Sequence, residues 1–176
     1  MLTDGNFVEF EKLLKENPTM IDSFQRRMNN NRMFYSWSLL INAAVTRDME
    51  IFLYLLKHKP DLFLLEISSR WNVCFLITHY NSDEVALRMM EEMCKLLNPN
   101  EKSELFNTND DYTDTPMHYA AMSNVYKTIE FMSKNGGNLN ALGCDDRLPG
   151  EHDMCDRRTV ELISKLRLSN DSSSLI

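Results

Sequence analysis

Between Asn107 and Ala141 the chain reads NTNDDYTDTPMHYAAMSNVYKTIEFMSKNGGNLNA, and no other stretch limits the fold as strongly. Thr115 and Pro116 spell a helix start: a threonine hydroxyl can accept from the orphan amides of a first turn, and proline lacks only an N–H that would go unused there. Ala120 and Ala121 are small enough to let neighbouring helices approach closely. Ser123-Asn124 breaks the pattern, and a second helix then sets Ile129 and Met132 on one apolar stripe, with Val125 and Phe131 near it. Gly136 or Gly137 supplies the positive-φ residue that ends this helix. Asn107 and Asn140 hold the same place in the order, 33 residues apart. A recurrence of that length marks one supersecondary unit stacked on copies of itself.

The same frame continues in both directions. Downstream, Leu148-Pro149 sits where Thr-Pro is expected, and Thr159–Leu166 (TVELISKL) supplies a last helix. Upstream, Ser38–Leu62 (SLLINAAVTRDMEIFLYLLKHKPDL) carries paired alanines at Ala43-Ala44, a second helix over Glu50–His58, and Asp61 at the closing turn, with Lys59-Pro60 in place of a glycine. Asp4–Asp22 has Phe7, Phe10, Leu13 and Leu14 at helical spacing, as the second half of a first unit would. The third unit diverges most. Trp71–Ile77 (WNVCFLI) takes its first-helix place without Thr-Pro or paired alanines, its second helix covers Asp83–Leu97, and an insertion follows through Pro99–Glu104.

The Thr-Pro-Met-His run of 115–118, the paired alanines and the Gly-Gly-Asn-Leu-Asn close together resemble an ankyrin repeat, and the resemblance extends over nearly the whole chain. It implies an all-α, ankyrin-repeat solenoid of about five helix-turn-helix units with short hairpin loops. The units fall at about 1–28, 29–62, 63–106, 107–139 and 140–168, forming one domain over 1–168, with 169–176 (SNDSSSLI) a flexible tail. Its last residues, Ser174-Leu175-Ile176, also fit the loose pattern of a C-terminal ligand for a PDZ domain.

Composition narrows the function. A chain of 176 residues, 43% hydrophobic and 26% charged, is long enough to bury one real core. A net charge of −7 argues against a general nucleic-acid binder, since phosphate affinity comes from Lys and Arg, and Arg26-Arg27 and Arg157-Arg158 do not overturn that balance. No apolar run approaches the roughly 18 residues of a membrane span. Met1–Glu9 carries two acids and no base, unlike a signal peptide. An intracellular, cytoplasmic or nuclear location is the expectation, and Cys74, Cys94, Cys144 and Cys155 then read as reduced thiols. Cys144, His152 and Cys155 offer three metal donors without the close second pair that a tetrahedral site needs, so no metal and no cofactor is expected.

A stack in which each unit touches only its neighbours presents an extended concave surface. The sequence holds five glycines and no phosphate-cradling loop, no G-x-S-x-G and no H-E-x-x-H, so a binding protein is expected and not an enzyme. In the resemblance, His118 ties one unit's turn to the next. Met89, Met90, Met93 and Met132 fall in helical apolar patterns and read as core, although methionine also suits an adaptable binding surface.

Carried over residue by residue, the resemblance puts partner contacts at hairpin tips and just after the paired small positions. The second unit gives Phe34, Tyr35 and Trp37, then Val45 and Thr46; the insertion around Arg26–Arg32 leaves open whether that aromatic cluster is interface or core. The third gives Ser68, Arg70, Thr78 and His79. The fourth gives Asp111, Tyr112, Asp114, Met122 and Ser123, and the fifth Cys144, Asp145 and Arg147. Asp110, Asp111, Asp114, Asp145 and Asp146 make these last fingers acidic; two readings stand, an acidic surface that would steer a basic partner and polar loop tips that are simply solvated. The resemblance implies an adaptor or an inhibitory subunit of a partner protein, such as a kinase or a transcription factor. An obligate structural subunit and a host-directed protein of a pathogen or virus stand as alternatives.

Overall fold

The computed structural model describes residues 11–19, 25–29, 32–66 and 69–173, with backbone alone at 25–29, 32–37 and 171–173. Helix α1 is seen over residues 11–16. An antiparallel pair follows, β1 (Gln25–Asn29) and β2 (Arg32–Trp37), in register from Gln25 opposite Trp37 to Asn29 opposite Arg32, with an irregularity between Arg26 and Met28. The remaining elements are helices: α2 (Leu39–Thr46), α3 (Met49–Lys57), α4 (Val73–Tyr80), α5 (Asp83–Cys94), α6 (Pro99–Phe106), α7 (Pro116–Met122), α8 (Tyr126–Lys134) and α9 (Arg157–Ser173). The helical class expected from the sequence thus holds, and the strands fall where an insertion was expected.

Helices α2, α3 and α4 start where a short polar side chain serves their first amides. Ser38 Oγ accepts from Ile41 N–H at 3.3 Å, Asp48 from Ile51 N–H at 3.1 Å and Asn72 from Cys74 N–H at 2.9 Å. The insertion after the third unit is helix α6. Pro99 occupies its first turn, and Asn98 and Glu101 close a reciprocal capping box. Helix α8 has no cap of its own; Asp83, at the start of α5, accepts from Lys127 N–H at 2.9 Å and Thr128 N–H at 3.0 Å. Gly136 (φ +99°), not Gly137, is the left-handed residue after α8, and a Cβ there would meet Ser103 at 2.9 Å.

Helices α2, α4 and α7 pack in series as one layer; α3, α5, α8 and α9 pack in series as a second, and α2/α3, α4/α5 and α7/α8 pair across. The core lies between the layers. Phe52, Leu55, Phe75, Ile77, Leu105, Phe106 and Ile129 are sealed there, as are Met89, Met90, Met93 and Met132. Burying each such side chain contributes about 1.5–3 kcal/mol.

Side-chain ties cross from unit to unit at nearly constant spacing. Arg47 donates twice to Tyr80 O at 3.0 and 2.8 Å, Asn72 to Leu105 O at 2.9 Å, and Asn107 to Gly136 O at 2.8 Å. His118 reaches Arg147 O at 3.1 Å and Asn124 reaches Met154 O at 3.1 Å. These ties span 29 to 33 residues, so the sequence period is also the period of the hydrogen-bond ladder.

The last unit departs from expectation. Leu148–Asp156 is a run of turns, closed by Glu151 N–H on Leu148 O and Cys155 N–H on His152 O, instead of a first helix. Gly150, directly after Pro149, sits at φ +93°, which stops a helix as it begins. Helix α9 then runs to Ser173, past the boundary expected at 168. The Ser174-Leu175-Ile176 motif, Phe7, Phe10 and Ser68 lie outside the described residues.

Candidate functional site

The C-terminal ends of α4 and α7 and the loop of the last unit border one open groove of about 700 Å³, floored by Tyr119, Asn81 and Met122 and flanked by Arg47, His79 and His152. A second cavity of about 190 Å³ adjoins it, sharing Asp114, Met122 and His152. Its walls are Tyr112, Leu148 and the Cys144–Arg147 turn.

A carboxylate that sequence reasoning placed on the surface organises the groove from behind. Asp110 is 5% exposed. Its Oδ2 accepts from Trp71 Nε1–H at 3.1 Å and Tyr119 Oη–H at 3.0 Å, and its Oδ1 accepts from the amides of Tyr112 at 2.9 Å and Asp114 at 3.0 Å. With four donors met, Asp110 is not available to a partner. Around it Trp71, Phe75, His79 and Tyr119 pack ring to ring: Trp71 meets Tyr119 edge-on at 4.8 Å, and Phe75 meets Tyr119 at 5.3 Å. Burial, and after it the charge of Asp110, hold the Tyr119 phenol well above its ordinary range, so it stays a donor.

His118 is tied on both ring nitrogens. Nδ1 accepts from Thr115 N–H at 3.0 Å and lies 2.9 Å from its Oγ1, so Nε2 carries the proton and donates to Arg147 O. Burial lowers its pKa, against smaller opposing effects of the Arg147 carbonyl and the Asp114 and Asp110 charges. Neither nitrogen is left for proton transfer. His79 faces solvent beside Tyr80, and burial lowers its pKa too. The core thiols Cys74 and Cys94 are shifted upward by burial, Cys94 to about 11, so neither is a thiolate at neutral pH. Among the described residues, no three His, Cys, Asp or Glu side chains converge as metal ligands would. No described helix is long and apolar enough to cross a membrane.

Of the residues expected at a partner surface, His79, Asp114, Met122 and Ser123 line the groove, and Tyr112, Asp114, Met122, Cys144, Asp145 and Arg147 line the adjoining cavity. Arg70 and Asp111 are exposed and face each other at 3.9 Å, outside both. Thr46 is exposed, with its hydroxyl on Asn42 O at 2.9 Å, and Val45 leans on the core. Phe34, Tyr35 and Trp37 fall on β2, where only the backbone is described.

Thr78 is a correction. It is 0% exposed, and its hydroxyl bonds back to Cys74 O and Phe75 O, both at 3.0 Å. The third unit has no Thr-Pro to fix its frame, and its first helix begins one residue later than the resemblance implies. The helix cap is Asn72, so Thr78 occupies the small, buried place that Ala121 fills in the fourth unit, and the residues facing the groove are His79 and Tyr80. Tyr80, Arg47 and Tyr119 were not expected at this surface, and His152, weighed from the sequence only as a metal donor, joins them there. Asn81 and Asn124 each end a first helix, and aligning them sets Tyr80 opposite Ser123; the paired alanines of the second and fourth units set Arg47 opposite Asn124.

No protein-family model matches this chain. No curated protein sequence matches it either.

Proposed function

We propose that the chain is an ankyrin-repeat protein that acts without catalysis, holding another protein in this groove as an adaptor or regulatory subunit inside the cell, with a kinase or a transcription factor as the kind of partner. The observation that carries the reading is the groove itself. It runs across the first-helix ends of successive units, and Tyr80, Tyr119, Met122 and Met154 give it an aromatic and thioether surface beside the polar Arg47, His79, Asp114 and His152. Tyr112, 67% exposed at the adjoining cavity, supplies the rigid amphipathic surface typical of binding hot spots. Support for the repeat assignment comes from the two-layer stacking of helix pairs and from the Thr115–His118 arrangement, which ties one turn to the next.

Affinity capture from source cells tests this. Full-length protein is compared with a Tyr80→Ala, Tyr112→Ala, Met122→Ala variant, and with a Glu91→Ala, Lys134→Ala variant altered on α5 and α8. A partner lost only with the groove variant identifies the regulated protein. Capture that is lost only with the second variant, or no specific capture at all, defeats the proposal.

A further inference from the structure

Two acceptor atoms stand without a donor among the described residues, one sealed beneath the groove and one at the adjoining cavity. Asn81 is 7% exposed and lines the groove; its amide nitrogen is used by Ala44 O and Ile77 O, both at 3.1 Å, which leaves its Oδ1 with no partner among the described residues. Asp114 lines both spaces, with its side chain 16% exposed. Its Oδ1 accepts from Cys144 N–H at 3.0 Å, and its Oδ2 has no partner among the described residues. The one cation on the cavity wall, Arg147, lies 3.7 Å from Asp145 and so compensates that carboxylate, not Asp114.

The rest of the cavity suits a long side chain with a cationic end. Met122 and Leu148 offer apolar wall to a methylene stem. The exposed Tyr112 ring stands at the rim, where a guanidinium can stack on it. The volume, about 190 Å³, is below the roughly 300–1,000 Å³ of small-molecule sites. The wider groove beside it, with Tyr80, Tyr119 and Met154, has room for the neighbouring residues of an extended segment. The chain's net charge of −7 favours the approach of a basic partner.

We infer that the groove takes an extended segment of a partner protein whose arginine enters this cavity, stacks against Tyr112 and donates to Asp114. The inference rests on the proposed binding role of the groove and adds the chemistry of the occupant. Arginine fits better than lysine because its planar fork can serve the carboxylate and stack on the ring at once.

The probe is a set of dye-labelled random peptide pools with acidic residues excluded and Arg, Lys, Gln or Glu fixed at the centre, applied to the immobilised full-length protein. The Arg pool is expected to be retained at least about tenfold better than the Gln pool, the scale of one charge-assisted hydrogen bond. Asp114→Asn keeps an oxygen for Cys144 N–H and should erase that preference. Tyr112→Ala, which touches no core, should weaken Arg-pool retention about two- to fivefold, as for a lost exposed cation–π contact. Glu130→Gln, on α8 away from the cavity, should change nothing. Equal retention of the Arg and Gln pools, a Lys pool that outcompetes Arg, or an Arg preference that survives Asp114→Asn overturns the inference. If a cellular partner is still lost with the Tyr80, Tyr112, Met122 variant while no Arg preference exists, the arginine assignment falls and the adaptor role stands. If no pool is retained and no partner depends on the groove, both fall.

Discussion

At the start of α7 stand Thr115 and His118; at the same two places of α4 stand Asn72 and Phe75. In the fourth unit the residue three after the cap position carries both bonds: His118 takes Thr115 N–H on one nitrogen and donates across to Arg147 O with the other. In the third unit Asn72 does both, capping with Oδ1 on Cys74 N–H and reaching across with Nδ2 to Leu105 O. That frees Phe75 to be apolar, and it becomes the floor on which Trp71 and Tyr119 pack. The far ends differ in the same way. Asn81 reaches back to Ala44 O, whereas Asn124 reaches forward to Met154 O and accepts from Asp156 N–H at 2.8 Å and Thr159 Oγ1–H at 2.7 Å. Stacking such units therefore requires a donor that meets the next backbone carbonyl, and not a particular residue type.

The strongest way to break that comparison is at Phe75. Phe75→Ala should cost about 3–5 kcal/mol by urea denaturation, as for other aromatic truncations in a sealed core. Phe75→His, which copies the fourth unit, should be almost as damaging, because Leu105 O is already taken by Asn72 and a histidine there buries a polar ring without a partner. Wild-type stability in Phe75→His would mean that the two units are interchangeable after all.

Next in size is Asp110, where the third and fourth units are joined by their aromatic rings. Asp110→Asn puts donors opposite donors at Trp71 and Tyr119 and should cost about 1.5–3 kcal/mol, with loss of near-ultraviolet circular dichroism as the cluster loosens. Unchanged spectra and stability would show that ring packing alone sets the groove floor.

The fourth unit was legible because each of its signals has a local cause. Thr115 caps, Pro116 starts, Ala120 and Ala121 admit neighbours, and a glycine stops α8, so periodicity and turn chemistry suffice. The buried methionines followed from the same apolar period. The third unit hid its register because Asn72 is an equally good cap that also occurs in ordinary turns, and the error of one residue hid Tyr80 and exposed Thr78 on paper. The fifth unit looked helical at Leu148-Pro149, but proline starts a helix only if the next residues continue it, and Gly150 does not. Asp110 was unreadable for a different reason. Its four donors come from Trp71, Tyr112, Asp114 and Tyr119, and only the Tyr112 and Asp114 amides lie near it in sequence.

A smaller effect is expected on the outer layer, where the comparison runs between α5 and α8. Ser82 precedes α5 without a side-chain bond to it, and α8 borrows its cap from Asp83 of the preceding unit. Asp83→Ala should cost about 0.5–2 kcal/mol, the range for a lost cap. In hydrogen exchange, the amides of Lys127 and Thr128 should lose protection before those of α5. Loss confined to α5 would mean that the cross-unit cap contributes nothing.

The mildest test separates the two units by pH. His118 is neutral in the folded chain with its pKa lowered, first by burial, so the unfolded chain binds the proton more readily. Stability must then rise with pH wherever the unfolded state holds the extra proton, and fall as pH drops through the unfolded value near 6.5. Protonation would set an Nδ1–H against Thr115 N–H and remove the bond that Nδ1 accepts there. The third unit's tie through Asn72 has no titratable group and should not respond. Urea midpoints of the wild type should therefore decline between about pH 7.5 and pH 5.5, a window above most carboxylate titrations. In His118→Gln the midpoint should be lower at neutral pH and the decline shallower, with the residue of the slope coming from His79, whose pKa is lowered in the same sense. An acid slope unchanged in His118→Gln would place the proton-sensitive contact elsewhere and remove the chemical distinction drawn between the fourth unit and the third.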